Sequence, residues 1–208
     1  MSPVEHLVTS GTFSLDGGTW EVDNNVWVVG DEREVVLIDP AHDADAVAAR
    51  VADRRVVAIV CTHAHDDHVN QAPELSRRFG APILLNPDEA PLWGLTHPDH
   101  RPDAELRDGQ VLTVAGTGLR VLATPGHSPG STCLHAPDLG VVFTGDTLFQ
   151  GGPGATGRSY SSFDTIIASI SGTLLALPGE TTVHTGHGDS TTIGAEAPHL
   201  AEWVARGH

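Results

Sequence analysis

Residues 58–70 read AIVCTHAHDDHVN, and this stretch decides the fold. The β-branched apolar run over residues 56–60 predicts a buried strand, because it is short and has no polar face. Three imidazoles and two carboxylates follow within six residues: His63, His65, Asp66, Asp67 and His68. Imidazole and carboxylate ligands together suit zinc, manganese or iron. The stretch therefore predicts metal ligands at a strand end, with Asp66 or Asp67 capping a helix over residues 69–79.

The alternative interpretation of this stretch is a polar loop that is rich in histidine. That interpretation suits an isolated His-x-His pair. The denser pattern H-x-H-x-D-H is more specific, because burying so many ionisable groups is unfavourable unless a cation neutralises them. The pattern therefore favours a metal site.

Length, charge and composition limit the class of protein. The chain has 208 residues, 39% of them hydrophobic and 18% charged, which predicts one domain over residues 1–208 with a sizeable core. Its formal charge of −16 argues against nucleic acid as a partner, since phosphate binding needs a basic face. The absence of lysine, with abundant alanine, glycine and valine, is typical of a GC-rich bacterial genome.

The sequence also predicts where the protein works. Its first residues, MSPVEHLVTSGTF, contain no signal peptide pattern, and no apolar run approaches the ~20 residues of a membrane span. Two cysteines, Cys61 and Cys133, do not indicate a disulfide framework. We therefore expect a cytoplasmic protein that does not bind membranes, with Cys61 as a small core residue.

Strand and helix patterns alternate along the rest of the chain. Predicted strands cover residues 26–29, 35–38, 56–60, 82–85, 111–114, 119–123, 131–135, 141–143 and 181–184. Predicted helices cover residues 44–52, 69–79, 88–93, 162–177 and 193–205. The glycine-rich residues 150–158 lack the Gly-Lys-Ser/Thr ending of a P-loop, so nucleotide binding is not supported. Each half of the chain therefore resembles a unit of strands followed by a helix.

Three later sites each place one metal-binding side chain on a glycine turn after an apolar run. They are His127 in TPGHSPG, Asp146 in FTGDT and His187 in TGHGD. Each is weak by itself, because a polar residue at a strand end is usually a turn residue. Together with the first motif they give five histidines and two aspartates, which is enough for two adjacent metal ions. Asp39 also ends a strand, where it either caps the following helix or supports a metal-bound histidine.

These motifs, in the order THAHDDH, PGH, GD and GH, resemble the metallo-β-lactamase fold superfamily, and in particular its short glyoxalase II-like hydrolases. The resemblance covers nearly the whole chain and implies an αβ/βα sandwich, in which two mixed β-sheets pack face to face with helices outside. It implies one metal held by His63, His65 and His127. It implies a second held by Asp67, His68 and His187. Asp146 would bridge the two, and the spacing selects Asp67 over Asp66.

The resemblance also implies an activity. Two divalent ions, zinc before iron or manganese, would lower the pKa of a bridging water from ~15.7 toward ~7, and the resulting hydroxide would attack a thioester. Asp67 and Asp146 are the carboxylates expected to serve this reaction. The alternative within the same fold is a persulfide dioxygenase with one iron on His63, His127 and Asp146. A third hypothesis, a non-catalytic metal sensor, is disfavoured because all seven ligands are present.

The substrate is the part that the sequence describes least. A short chain resembling this branch lacks the extra domain that holds glutathione in full-length glyoxalase II, so an S-acyl or S-formyl derivative of another small thiol, such as mycothiol, is a candidate. Arg158 and Tyr160 are candidate substrate-binding residues, Arg158 through a fork onto a carboxylate. Trp20, Trp27, Trp93 and Phe149 are further aromatic candidates, with core packing favoured for Trp27. His97 and His100 are expected to face solvent, and the oligomeric state is open.

Overall fold

Two six-stranded sheets form the centre of the protein in the computed structural model, which describes residues 3–207. The first sheet contains, in spatial order, β1 (Val4–Leu15), β2 (Gly18–Gly30), β3 (Glu34–Ile38), β4 (Arg55–Val60), β5 (Ile83–Leu85) and β6 (Ala104–Glu105). Its first three strands are antiparallel, and β3 to β6 run parallel to one another. This sheet is therefore mixed, as the sequence predicts.

The second sheet is built from the C-terminal half of the chain. Its strands are β7 (Val111–Val114), β8 (Thr117–Ala123), β9 (Thr132–Ala136), β10 (Val141–Gly145), β13 (Thr182–Thr185) and β14 (Thr191–Thr192), in the spatial order β14-β13-β10-β9-β8-β7. Only β10 and β13 pair in parallel. A short hairpin, β11 (Leu148–Phe149) and β12 (Gly152–Pro153), follows β10.

Helices cover the outer faces of both sheets. They are α1 (Ala44–Val51), α2 (Asp66–Val69), α3 (Ala72–Phe79), α4 (Ala90–Thr96), α5 (Phe163–Ser169), α6 (Ile193–Glu196) and α7 (Leu200–Arg206). Single 3₁₀ turns lie at Pro87–Glu89, Pro137–Leu139 and Ala197–His199, and a π-helical segment lies at Ile170–Leu174. Among residues 3–207, no helix is both long and apolar enough to cross a membrane.

The alternation of side chains along the strands explains the layers. In β2, Val26 and Val28 pack with the helices outside the first sheet, whereas Trp27 and Val29 belong to the cluster between the sheets. This follows from the two-residue period of a strand. Phe143 from the second sheet joins the same inner cluster, and Ile166 and Trp203 cover that sheet's outer face. The predicted αβ/βα sandwich is confirmed.

Several predicted element boundaries were wrong. The helix predicted over residues 69–79 begins earlier, at Asp66, and is split before Ala72. Neither aspartate caps it, because its N-cap is His65, which makes no side-chain capping bond. Pro198 divides the predicted C-terminal helix into α6, a 3₁₀ turn and α7, since proline cannot donate a backbone hydrogen bond. The sequence also failed to predict β1, whose twelve residues pair with β2 along its whole length.

The strand ends place the predicted ligands at one edge of the sandwich. The THAHDDH motif follows β4, His127 follows β8, Asp146 follows β10 and His187 follows β13. Two glycines make this convergence sterically feasible. A side chain at Gly186 would collide with Asp146 Oδ1, and one at Gly145, where φ is +48°, would collide with Thr62 Oγ1. The tight turns seen in the sequence are therefore required by close approach between the strands.

Candidate metal centre

Three groups of three side chains bring their ligand atoms close together, and two of these groups form the candidate metal centre; the third joins Asp39 to His63 and His68. The first contains His63, His65 and His127, and the second contains Asp67, His68 and His187. In the first, His65 Nδ1 lies 3.1 Å from His63 Nε2 and 3.0 Å from His127 Nε2. In the second, His187 Nε2 lies 3.2 Å from His68 Nε2 and 3.3 Å from Asp67 Oδ2. These are the two ligand sets that the resemblance implies.

Asp146 lies between the two groups and contacts both. Its Oδ2 is 3.5 Å from His127 Nε2 in the first group and 3.4 Å from His187 Nε2 in the second. Its Oδ1 is 3.3 Å from His68 Nε2 and accepts no hydrogen bond within the described part of the chain. A buried carboxylate placed in this way is suited to share its two oxygens between two cations.

The spacing of these atoms is close to that of ligands around a single metal ion. Ligands about 2.0–2.1 Å from a tetrahedral zinc ion are separated from one another by about 3.3–3.4 Å. The ligand atoms within the two groups lie 3.0–3.5 Å apart, and in several pairs both atoms are imidazole nitrogens. The orphaned Asp146 oxygen adds an acceptor that a bound cation would satisfy. The clusters and the fold together indicate divalent metal ions.

Contacts outside the clusters fix the orientation of four imidazoles. The Nδ1 atoms of His127 and His187 lie 2.9 Å and 2.8 Å from the backbone oxygens of Ala155 and Asp23. A carbonyl oxygen can only accept, so each Nδ1 carries the proton and each Nε2 is free to bind a metal. His63 Nδ1 is likewise 3.0 Å from Thr62 Oγ1. His65 is reversed, because its Nδ1 faces the cluster.

Asp39 holds the fourth of these imidazoles. One of its oxygens accepts a hydrogen bond from Thr62 N at 2.7 Å, and the other lies 2.7 Å from Thr62 Oγ1 and 3.0 Å from His68 Nδ1. Helix α1 is capped instead by Asp43, whose side chain accepts from Ala46 N. Of the two interpretations open for Asp39, the structure shows support of a histidine in the ligand cluster.

Burial and charge shift the pKa values of the cluster in opposite directions. Burial lowers the pKa of His65 to about 3. Burial would also lower the pKa of His187, but the Asp146 carboxylate outweighs it and raises that pKa to about 10. Burial would raise the pKa of Asp146, whereas His187 and His68 hold it well below its ordinary value. Without metal, the carboxylates are therefore balanced by protons on histidine, which a metal would displace.

The clusters form the floor of a cavity of about 350 Å³. Phe13, Val22 and Phe149 give it an apolar wall. Arg158, Ser159 and Ser161 add polar groups to its lining. A small organic molecule can therefore reach the ligand clusters while it contacts both apolar and cationic groups.

Comparison with known sequences assigns the family. A sequence model of the Metallo-beta-lactamase superfamily matches residues 19–187. The chain belongs to the metallo-β-lactamase superfamily. A relative from Haemophilus influenzae, hydroxyacylglutathione hydrolase GloC, is 34% identical over 181 residues, covering 80% of this chain and 85% of the relative.

Solved structures support the same assignment. The BLEG-1 B3 metallo-beta-lactamase is 31% identical, with a TM-score of 0.77, 92% of this chain covered and 98% of that chain. TTHA1623, solved in a di-iron-bound form, is 34% identical, with a TM-score of 0.76, 85% of this chain covered and 93% of that chain. One similar superfamily protein has therefore been solved with two iron ions bound.

The candidate substrate residues of this superfamily member separate into two groups. Arg158 lines the cavity, with its guanidinium carbon 3.8 Å from the centroid of the Trp20 ring and 5.1 Å from that of Phe13. Its Nη1 is buried and has no hydrogen-bond partner among residues 3–207. Tyr160 is 47% exposed and lies outside the cavity lining. Its φ is positive, at 70°, and its neighbours Ser159 and Ser161 both line the cavity.

Phe149 lines the cavity and Trp20 stacks on Arg158, whereas the other aromatic and histidine candidates lie elsewhere. Trp27 is in the core, as expected, and donates a hydrogen bond from Nε1 to Thr185 O at 3.0 Å. Trp93 is also buried, so it is a core residue of the helical layer. His97 and His100 are half-buried beside Trp93 and belong to neither ligand cluster, so the expectation that they face solvent was only partly correct. Cys61 is a buried core residue, as predicted.

Sequence reasoning missed several residues that complete the centre. Asn24 Nδ2 donates to Asp67 Oδ2 at 3.1 Å, and its Oδ1 lies 2.8 Å from His42 Nε2. Phe13, on β1, packs against His65 with ring centroids 5.0 Å apart. The one available signal was the polar pair at residues 24 and 25, which interrupts an apolar strand pattern. Buried polar groups in such a position normally have a specific partner.

Proposed function

We propose that the protein is a binuclear metal-dependent hydrolase that cleaves a thioester of a small thiol. The observation that carries this proposal is the joining of two ligand clusters by Asp146 at the floor of a cavity that is open to small molecules. A pair of divalent ions in these clusters would activate water and polarise a carbonyl group.

Each part of the centre has a distinct role in this proposal. The first cluster would hold one ion, the second cluster would hold the other, and Asp146 would bind both. The Nε2 atoms of four histidines are available because Thr62, Asp39, Ala155 and Asp23 engage the opposite nitrogens. Asn24 holds Asp67 through Oδ2, the same oxygen that faces His68 and His187. Zinc is the ion that we propose first, with iron or manganese as alternatives.

The leaving group and the cavity wall both favour a thioester over a substrate whose leaving group needs an acid catalyst. A thiolate is a good leaving group, so its departure needs little help from protein acids. The apolar wall formed by Phe13, Val22 and Phe149 can bury an acyl chain, and Arg158 can bind a carboxylate on the acyl group or on the thiol. The name of the similar H. influenzae protein, a hydroxyacylglutathione hydrolase, agrees with this substrate class. The carrier thiol, whether glutathione, mycothiol or another, is open.

Metal analysis combined with a substrate panel tests the proposal. We expect about two metal ions per chain and hydrolysis of acyl-thiol thioesters, followed by release of free thiol. The panel should include S-acyl and S-formyl derivatives of glutathione and mycothiol, together with a β-lactam. Two bound metals with β-lactam cleavage and no thioester cleavage would contradict the proposed substrate class.

A mononuclear iron persulfide dioxygenase is the second candidate, and the di-iron form of the similar protein TTHA1623 is the observation that favours testing for iron. Such an enzyme would use His63, His127 and Asp146. The completeness of the second cluster, with atoms 3.2–3.5 Å apart, favours two ions instead. One iron per chain and oxygen uptake with a thiol persulfide, without hydrolysis, would support the dioxygenase.

Replacing Arg158 with glutamine is expected to weaken binding of a substrate that carries a carboxylate. A hydrogen bond to a charged group contributes roughly 1.5–3 kcal/mol, so KM should rise about 10-fold to 100-fold while kcat changes little. The measurement is steady-state hydrolysis of an anionic thioester and of a neutral thioester with the same acyl length. The exposed Arg120 of β8, replaced in the same way, is the matched control. An equal change in KM for both substrates would argue against a carboxylate at Arg158.

A further inference from the structure

Glu89 is a buried carboxylate that neither the sequence motifs nor the proposed chemistry uses. It lies at the end of the 3₁₀ turn Pro87–Glu89, directly before α4, and its relative exposure is 0%. Its Oε2 accepts a hydrogen bond from Ala64 N at 2.7 Å. Its Oε1 accepts from Ser128 Oγ and from Gly130 N, both at 2.6 Å. Three short hydrogen bonds therefore converge on one charged group in the interior.

The donors belong to the two loops that carry the first ligand cluster. Ala64 lies between His63 and His65, and Ser128 directly follows His127. Glu89 thus links the loop after β4 in one sheet to the loop after β8 in the other. Its hydrogen bonds reach no residue of the second cluster and no ligand side chain. Glu89 is therefore placed to set the distances between the three histidines of the first cluster.

The chemistry of this position requires a carboxylate. Burial raises the pKa of Glu89, whereas its hydrogen bonds from Ser128, Gly130 and Ala64 oppose that rise. A glutamine of the same size has one accepting oxygen and one NH₂ donor. Its NH₂ would face either the Ala64 N–H or the Gly130 N–H, and two donors cannot bond to each other. A Cβ at Gly130 would lie 3.0 Å from Glu89 Cγ, so the loop approaches Glu89 too closely for any side chain at that position.

We propose that Glu89 is a positioning residue for the metal site formed by His63, His65 and His127. By holding Ala64 and the backbone after His127 to one carboxylate, it fixes the separation of the loops that present these three nitrogens. It acts through the ligand loops without touching a metal or a substrate. The proposal requires the metal centre and is independent of which substrate the centre hydrolyses.

The Glu89→Gln substitution tests this role through metal affinity. Contacts that orient metal ligands typically contribute 10-fold to 100-fold to affinity. We expect the affinity of one of the two ions to fall by about that factor, while the affinity of the other changes by less than about threefold. Both affinities are measured without an activity assay. A chelator competes with the protein for zinc in one experiment, and in a second experiment the absorbance of bound cobalt reports how the same sites fill.

Two histidine variants assign the effect to a cluster. In a His187→Ala background, which lacks part of the second cluster, Glu89→Gln should lower the affinity for the remaining ion by the same factor. In a His65→Ala background, which lacks part of the first cluster, it should have no further effect. Equal losses in both backgrounds, or no loss in either, would overturn the proposal.

Glu196 supplies a matched control for the loss of a buried carboxylate. It is also buried, and it accepts hydrogen bonds from Gly151 N at 3.0 Å and Thr191 Oγ1 at 2.7 Å, away from both clusters. Glu196→Gln should lower thermal stability and leave both metal affinities unchanged. If the Glu89→Gln variant does not fold, the Ser128→Ala variant tests the proposal instead, because it removes one of the three hydrogen-bond donors to Glu89. A smaller loss of the same affinity would support the proposal, and wild-type affinities would overturn it.

Discussion

Replacing Asp146 with asparagine is expected to abolish most of the hydrolytic activity and to leave at most one metal ion bound per chain. The side-chain oxygens of Asp146 contact members of both ligand groups, His127 on one side and His68 and His187 on the other. Residues that only orient ligands contribute 10-fold to 100-fold, so loss of a shared ligand should lower kcat/KM by on the order of 10³ or more. Thioester hydrolysis and metal content per chain are the measurements.

The Asp66→Asn variant is the control for this experiment. Asp66 belongs to the same motif as the ligands, but its Oδ1 accepts hydrogen bonds from Ser14 N and Asp67 N, both at 3.0 Å, and it faces away from the clusters. We expect its activity to stay within a few-fold of the wild type and its metal content to be unchanged. An Asp146→Asn protein that keeps two metals and activity within tenfold of the wild type would contradict the bridging role.

The ligand set could be predicted from the sequence because each ligand is tied to a local pattern. His63, His127, Asp146 and His187 each follow an apolar strand pattern and lie beside a threonine or a glycine, so both their position and their exposure at a strand end are encoded locally. The sandwich was implied by the resemblance of these motifs, taken in order, to the metallo-β-lactamase superfamily. The structure brings all these residues together, as expected.

The partners of the ligands could not be predicted, because they depend on packing between distant segments. Asn24 reaches Asp67 across 43 positions of the chain, and Glu89 reaches Ala64 across 25. No local periodicity reports such a contact. Arg158 and Tyr160 illustrate the same limit at short range, since they are only two positions apart, yet Arg158 lines the cavity and Tyr160 is largely exposed outside its lining.

Removing the metal is expected to destabilise the protein strongly as well as to inactivate it. The seven proposed ligands follow strands of both sheets, so metal binding links the two halves of the sandwich. A ligand at about 1,000 times its dissociation constant stabilises the folded state by ≈ 4 kcal/mol. For a chain of this length that corresponds to a fall in Tm of roughly 8–16 °C after chelation.

Thermal unfolding before and after chelation, followed by metal addition, measures this effect. Zinc should restore the Tm and the activity, whereas magnesium should restore little, because it prefers oxygen ligands and the centre offers five imidazoles. If the metal-depleted protein has an unchanged Tm, metal binding at the clusters does not stabilise the folded state. A Tm that falls on chelation and does not recover when zinc is added would indicate irreversible unfolding. Circular dichroism after cooling detects this as secondary structure that does not return.

The fall in Tm on metal removal should become larger as the pH rises. In the metal-free protein His187, with a pKa of about 10, carries a proton that pairs with Asp146. This pairing contributes stability that is complete below the ordinary histidine pKa of about 6.5 and is lost as the pH rises through about 10. Metal binding must displace this proton, so the affinity of the centre falls as the pH falls. Because both effects act in the same direction, the difference in Tm between metal-loaded and metal-free protein should widen from pH 6 toward pH 9. A difference that narrows over this range would exclude competition between protons and metal at His187.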